Sequence, residues 1–310
     1  MEKGYWKKTW DTIVKQKQLI FMSFPLLIYV LIFNYAPLWG WLMAFQDYRP
    51  GPGRSILNQD WVGLKHFKFL FTEESFLRVL RNTIAMSVIN LVLSFATAIL
   101  LALLLNEIRN IMFKRTIQTI SYLPYFISWV IAASIISQSL STENGIVNIL
   151  LMKLNIIDKP VMWLGEGKYF WAIFGLGNVW KNVGFNAIIY LGAMAAIDPN
   201  LYEAANIDGA SRLQKMIHIT LPGIKATFIV LLIMNIAHVL NAGFEFQYLL
   251  GRGLNIEWSE TIDVFTLRYG IGMGNFSLAT AAGMFKTVVS VLLLLCANKI
   301  AKKLGETRLI

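Results

Sequence analysis

One cysteine, three histidines and few charges leave this 310-residue chain little material for chemistry. Cys296 stands alone, so no disulfide, zinc site or C-x-x-C redox pair can form within the chain. It lies inside an apolar run and reads as a small hydrophobe. His66, His218 and His238 are far apart and not spaced as metal ligands. No Ser/His/Asp or Cys/His arrangement stands out. The phosphate-cradling pattern G-x-x-x-x-G-K-S/T is missing too. Gly165-Glu166-Gly167-Lys168 has neither the earlier glycine nor the hydroxyl residue. Charged residues make up 15% of the chain, against about 25% in a soluble domain. No internal repeat, low-complexity tract or separate soluble domain is visible. These absences argue against a soluble enzyme, a metalloprotein and a nucleotide hydrolase.

The chain does have apolar length. It is 56% hydrophobic with a mean hydropathy of +0.55. Six segments can cross about 30 Å of hydrocarbon, roughly 19–43, 82–105, 116–139, 170–196, 223–243 and 279–300. The third carries Pro124 near its start, and the fifth begins just after Pro222. The first run is too long for a signal peptide's apolar core and has no A-x-A site behind it, so it reads as a retained helix. The net charge of +10 flanks these blocks and forms no basic stripe, which argues against nucleic acid. Positive residues collect before the first span (Lys3, Lys7, Lys8, Lys15, Lys17), at Arg109, Lys114 and Arg115, at Arg212 and Lys215, and at Lys299, Lys302, Lys303 and Arg308. The positive-inside rule then places both termini and the 198–222 loop in the cytoplasm. Arg49, Arg54, Lys65, Lys68, Arg78 and Arg81 in the first outer connection pull the other way. The expected fold is an all-α integral membrane protein. A basic segment over 1–18 precedes a six-span domain over 19–300 and a basic tail over 301–310. With Trp6, Trp10, Ile13 and Val14 among lysines, 5–18 suits an interfacial helix on the anionic inner leaflet and suits an unstructured tail equally well.

The polar interruption at 198–222 carries the most information. Asp198 is a good N-cap, and Pro199 suits the first helical position. Two turns follow, with Glu203 near their positive end. Gly209 can take the left-handed conformation that stops a helix, and Ser211 can cap a second short helix to about Ile219. The result is helix–Gly–helix joined directly to a span on each side. Ala204 and Ala205 are small enough for a partner surface to approach closely.

Within it, Tyr202-Glu203-Ala204-Ala205-Asn206-Ile207-Asp208-Gly209-Ala210-Ser211 runs on to Ile219-Thr220-Leu221-Pro222. This resembles the cytoplasmic EAA loop of permease subunits in binding-protein-dependent ABC importers. Val62-Gly63-Leu64-Lys65-His66-Phe67 and Leu123-Pro124-Tyr125 resemble further stretches of the maltose-type carbohydrate branch, most closely the oligosaccharide permeases of Gram-positive bacteria. The resemblance runs from Phe24-Pro25 to the end. The maltose permease subunit itself has extra N-terminal spans and a large outer domain, and this chain has neither. The resemblance implies a multi-pass subunit of a Gram-positive plasma membrane that performs no catalysis. It implies a second, homologous permease as heterodimer partner, two copies of a cytoplasmic ATPase that hold ATP and Mg, and an extracellular solute-binding lipoprotein. No cofactor belongs to this chain itself. Tyr202, Glu203, Ala204, Ala205, Asp208, Gly209, Ala210, Ser211 and Pro222 would carry the coupling to the ATPase.

Polar groups inside spans are costly and usually face a cavity or a partner helix. The fourth span holds Asn178, Lys181, Asn182 and Asn186, and the fifth holds Asn235, His238 and Asn241. Matching to the maltose permease pattern puts sugar contacts at Tyr125, Trp129, Asn178, Asn182 and Phe185, with another near Asn241. Aromatic faces stack on sugar C–H faces, and amides both donate to and accept from hydroxyls. His238 joins this candidate path. Lys181 departs from the pattern, which is apolar there. Either it meets an acidic sugar such as a uronyl oligosaccharide, or it binds helix carbonyls or the partner subunit. Tyr, Trp, Phe and Asn also serve as helix-to-helix glue, and the sugar site of such importers can sit mostly in the second permease. Rival readings are an importer of a non-sugar solute, a membrane-embedded enzyme and a scaffold.

Overall fold

The computed structural model describes residues 15–303. The expected interfacial helix over 5–18 and the basic tail over 301–310 fall mostly outside these residues. Helix α1 (Lys17–Val30) runs on through a π turn (Leu31–Tyr35) and a 3₁₀ stretch (Ala36–Phe45), making one apolar element of 29 residues. No residue of α1 or its π turn is buried, and Phe21 is 79% exposed. Only the far end is anchored. The Val62 and Gly63 N–H groups both donate to the Phe45 carbonyl at 2.8 and 3.0 Å. His66 Nε2 lies 3.1 Å from the Gln46 carbonyl, to which Ser277 Oγ donates at 2.7 Å. The Val62–Phe67 segment thus pins the end of the first helix to the start of the last. Helix α2 (Lys65–Thr72) leads from this knot towards α3 (Glu74–Glu107).

The scaffold is α3, α7 (Phe170–Ala195) and α14 (Phe276–Lys303). Helices α3 and α7 pack through small residues. Ala98, Ala102 and Ala187 are buried between them with Tyr190 and Met194, and a Cβ on Gly175 would press on Ile89 and Leu93. Without a hydrophobic drive in lipid, such close backbone approach lets dispersion contacts hold helices together. Asn186 adds a hydrogen bond to Ser94 Oγ at 3.0 Å. Helix α14 closes a second core with Ala44, Leu70, Phe76, Val79, Ile262 and Phe265.

Two expected spans are not single straight helices. The third is α4 (Ile111–Phe126) followed by α5 (Trp129–Ser139), bent by 105° at the break. Pro124 removes an N–H donor from the last turn of α4, and Ser128 then caps α5 by accepting from the Ile131 N–H. After α6 (Ile146–Lys153) and α7 comes the 198–222 loop, which contains α8 (Pro199–Ile207) and α9 (Arg212–Lys215). The chain after α9 continues as a π turn (Met216–Thr220) and a short helical turn (Leu221–Gly223), then bends by 54° into α10 (Lys225–Ala237). Helix α10 stops at Ala237, short of the expected 243, and residues 238–244 are unwound with Gly243 at φ +89°. Short helices α11 (Glu245–Leu250), α12 (Ile256–Ser259) and α13 (Ile262–Leu267) fill the connection between α10 and α14.

By length and composition, three helices among the described residues can cross a membrane, and five can if each bent pair is one span. Helix α7 has the length, 26 residues or about 39 Å. It is not among the three, since Asn178, Lys181, Asn182 and Asn186 interrupt its apolar sequence.

Candidate functional site

The 198–222 loop is built from local signals. The Asp198 carboxylate accepts from the Asn200 N–H at 2.9 Å, and Pro199 opens α8. Gly209 stands at φ +74°, where a side chain would strain the backbone. Ala210 N–H closes back on the Ala205 carbonyl at 2.8 Å, satisfying an end carbonyl of α8. Ser211 and Gln214 form a reciprocal capping box that starts α9. The two arms are cross-tied. Lys215 Nζ donates to Asn206 Oδ1 at 2.6 Å, and the Tyr202 hydroxyl pairs with buried Thr220 at 3.0 Å. At the base, Ile197 after α7 lies where a Cβ on Gly223 would be 2.5 Å away. The loop is therefore a braced unit joined to α7 and α10. Glu203, Ala204 and Asp208 are exposed, Ala205 and Ala210 are half-buried, and Pro222 is exposed at the exit. Sequence reading missed the apolar part of this surface: Ile207 is 87% and Leu213 is 62% exposed. Hydrophobes flanking the glycine of a polar loop were the available signal. His218 Nδ1 sits 3.0 Å from the Gln214 carbonyl and faces no reactive group.

The candidate path residues divide into two groups. Tyr125 and Phe185 stack with centroids 3.9 Å apart and planes 3° from parallel. The stack is possible because Gly184 lets α7 approach α4; a Cβ there would meet the Ser121 carbonyl oxygen. Trp129, at the first turn of α5, packs edge-on to Phe246 at 5.9 Å. Lys181 joins these elements. Its ammonium donates to the carbonyls of Pro124 at 3.2 Å, Tyr125 at 3.0 Å and Ile127 at 2.7 Å. It also lies 5.7 and 5.1 Å from the ring centroids of Tyr125 and Trp129. An ammonium has three donors, and three carbonyls take them. Of the two readings of Lys181, the contacts present are those of a helix-carbonyl cap and leave no donor for a sugar carboxylate. Asn178 and Asn182 donate to the carbonyls of Phe174 and Asn178 one turn back in α7.

His238 and Asn241 stand apart from this group. They are exposed on the unwound stretch after α10, 3.3 Å from each other. Beside them lie two charged residues that the sequence reading passed over, Asp263 of α13 and Lys286 of α14. A lysine in the middle of an otherwise apolar span was the signal for Lys286. Among the described residues no cluster of His, Cys, Asp or Glu could hold a metal ion.

Comparison with known proteins bears on this arrangement. The family model of binding-protein-dependent transport system inner membrane components matches residues 91–306. The chain is 45% identical over 294 residues to the polygalacturonan/rhamnogalacturonan transport system permease protein YteP of Bacillus subtilis, covering 95% of this chain and 90% of that one. It is 40% identical over 299 residues to protein LplB of the same organism, covering 96% and 93%. A solved chain of a bacterial ABC transporter that imports the acidic polysaccharide alginate superposes with a TM-score of 0.88 at 37% identity, over 96% of this chain and 99% of that one. A second alginate transporter structure, in complex with a periplasmic protein bound to alginate pentasaccharide, gives 0.89 at 37% identity, over 97% and 99%. With most of its length matched by the family model and by these relatives, the chain belongs to the family of binding-protein-dependent transport system inner membrane components.

Proposed function

We propose that this chain is the permease subunit of an ATP-driven importer and forms part of the translocation path for an oligosaccharide cut from a uronate-containing polysaccharide. The observation that carries the reading is the braced 198–222 loop. Its helices are capped and cross-tied, it is continuous with α7 and α10, and it presents exposed Ile207 and Leu213. A surface pressed against it would move both helices together. The cargo class is supported by the relatives, one named for polygalacturonan and rhamnogalacturonan and another for alginate. The stacked Tyr125–Phe185 pair beside Trp129 gives sugar C–H faces a matching surface.

In this reading the protein has six spans, with α7 as the polar one, and both termini are cytoplasmic in a Gram-positive plasma membrane. ATP and Mg bind two copies of a separate ATPase that grip the loop, and a solute-binding lipoprotein delivers sugar from outside. The bare length of the first apolar element supports a second permease as partner, since its 29 residues touch the body of the chain only at their last turns. The test is affinity purification from the native membrane, with uptake of oligogalacturonides measured alongside. The expected result is co-purification of an ATPase and a sibling permease, and uptake that disappears when the gene is removed. A chain that purifies alone, or uptake that survives its removal, would sink the proposal.

A further inference from the structure

Helix α10 has 13 residues and so rises about 20 Å, well short of the roughly 30 Å hydrocarbon layer. The unwound residues 238–244 therefore fall at membrane depth. Irregular backbone is tolerated there only when buried in protein or lining a water-filled cavity. His238 and Asn241 are exposed and line an open groove, which fits the cavity. A second, independent feature shares it. Lys286 sits ten residues, about 15 Å, from the start of α14 and pairs with Asp263 at 2.5 Å. Ionisable residues within a span rarely serve stability and usually mark a transport route. Both features line one groove of about 540 Å³, together with Thr287 and Ser290.

We propose that this groove is a sugar subsite of the transport path, with Asp263 and Lys286 as its recognition pair. The inference rests on the oligosaccharide reading above. The valences suit the cargo. Lys286 places one of its three donors on Asp263, leaving two for a sugar hydroxyl or a uronate carboxylate. The Asp263 carboxylate has lone pairs left to accept from neighbouring hydroxyls. His238 and Asn241 add further hydrogen-bonding groups to the groove. The Lys181 ammonium, by contrast, is fully taken up by backbone carbonyls.

The experiment uses the whole importer in proteoliposomes, with a galacturonate trisaccharide as probe. Asp263→Asn, Lys286→Met and the reversed pair Asp263→Lys with Lys286→Asp are compared. The expected result is a KM for uptake raised tenfold or more in all three, while the reversed pair assembles at wild-type yield. Restoration of the wild-type KM by the reversed pair would make the ion pair a structural strut and overturn the proposal, as would unchanged KM in the single variants. Ser290→Trp fills the groove without altering a charged residue and gives a reading if the charge variants fail to assemble. Blocked uptake supports the subsite, and wild-type uptake overturns it. A wild-type importer that takes up no oligogalacturonide at all overturns the cargo reading, and the subsite with it. Working uptake with unaffected variants overturns the subsite alone.

Discussion

Lys181 directs three N–H donors at three carbonyls exposed by one helix break. Replacing it with methionine keeps the bulk and removes the donors, at a cost on the order of 1–3 kcal/mol for each carbonyl left unpaired away from water. Lys181→Met is expected to lower complex yield and to reduce transport of acidic and neutral oligosaccharides by the same factor, with Lys181→Arg partly restoring both. A loss confined to acidic cargo, measured by uptake of paired substrates, would return Lys181 to the sugar. That a lysine lay in the fourth span was legible in the sequence. Its partners were not, because they lie 54 to 57 residues away and are exposed only by the break between α4 and α5. Glu260, between α12 and α13, supplies a pH-dependent counterpart. Burial raises its carboxyl pKa, opposed by Arg268, at 2.9 Å, and by Arg78. A raised folded-state pKa means the group's contribution to stability is complete below its unfolded pKa and is lost as pH rises through the folded one. Glu260→Gln, which mimics the protonated form, is therefore expected to match the wild-type Tm at acid pH and to exceed it at neutral pH. A Tm difference independent of pH would contradict this.

At the scale of elements, the loop and the spans differ in how they are specified. The 198–222 unit rests on caps, a capping box and one left-handed glycine, all within a few residues of their partners, so the sequence displays them directly. That the chain is built from long apolar helices was legible for the same reason, since apolar length is a local property. The 105° bend at 127–128 and the early end of α10 were not. Both leave polar backbone in the membrane, and only tertiary partners make that affordable: Lys181 in one case and a wet groove in the other. Gly209 tests the loop as an element. Nothing lies within 4 Å of a Cβ placed there, so any penalty comes from φ +74° alone. Gly209→Val is expected to cost the loop about 1–2 kcal/mol or more. Membrane insertion should be normal, and ATPase activity should no longer respond to loaded binding protein. Full stimulation in that variant would show that the hinge conformation is not needed.

The whole molecule places the capped and cross-tied 198–222 loop before α10 and the groove holding Asp263 and Lys286 beyond its other end. Helices α10 and α14, with α7, connect the two. The chain also leaves apolar surface uncovered. The first 19 residues of its first span, Lys17 to Tyr35, bury no side chain against the rest of the chain, and the groove at Lys286 stands open. This incompleteness could not be read from apolar segments, because composition records length and not what a helix touches. The account's central claim is that motion imposed on the 198–222 loop drives oligosaccharide through the path. It is tested most directly by ATP-dependent uptake of a galacturonate oligosaccharide into proteoliposomes holding the complete importer, wild type against Gly209→Val. The account predicts robust uptake by the wild type and a loss of tenfold or more in the variant, with the complex intact and ATP still hydrolysed. Equal uptake by the two would contradict it.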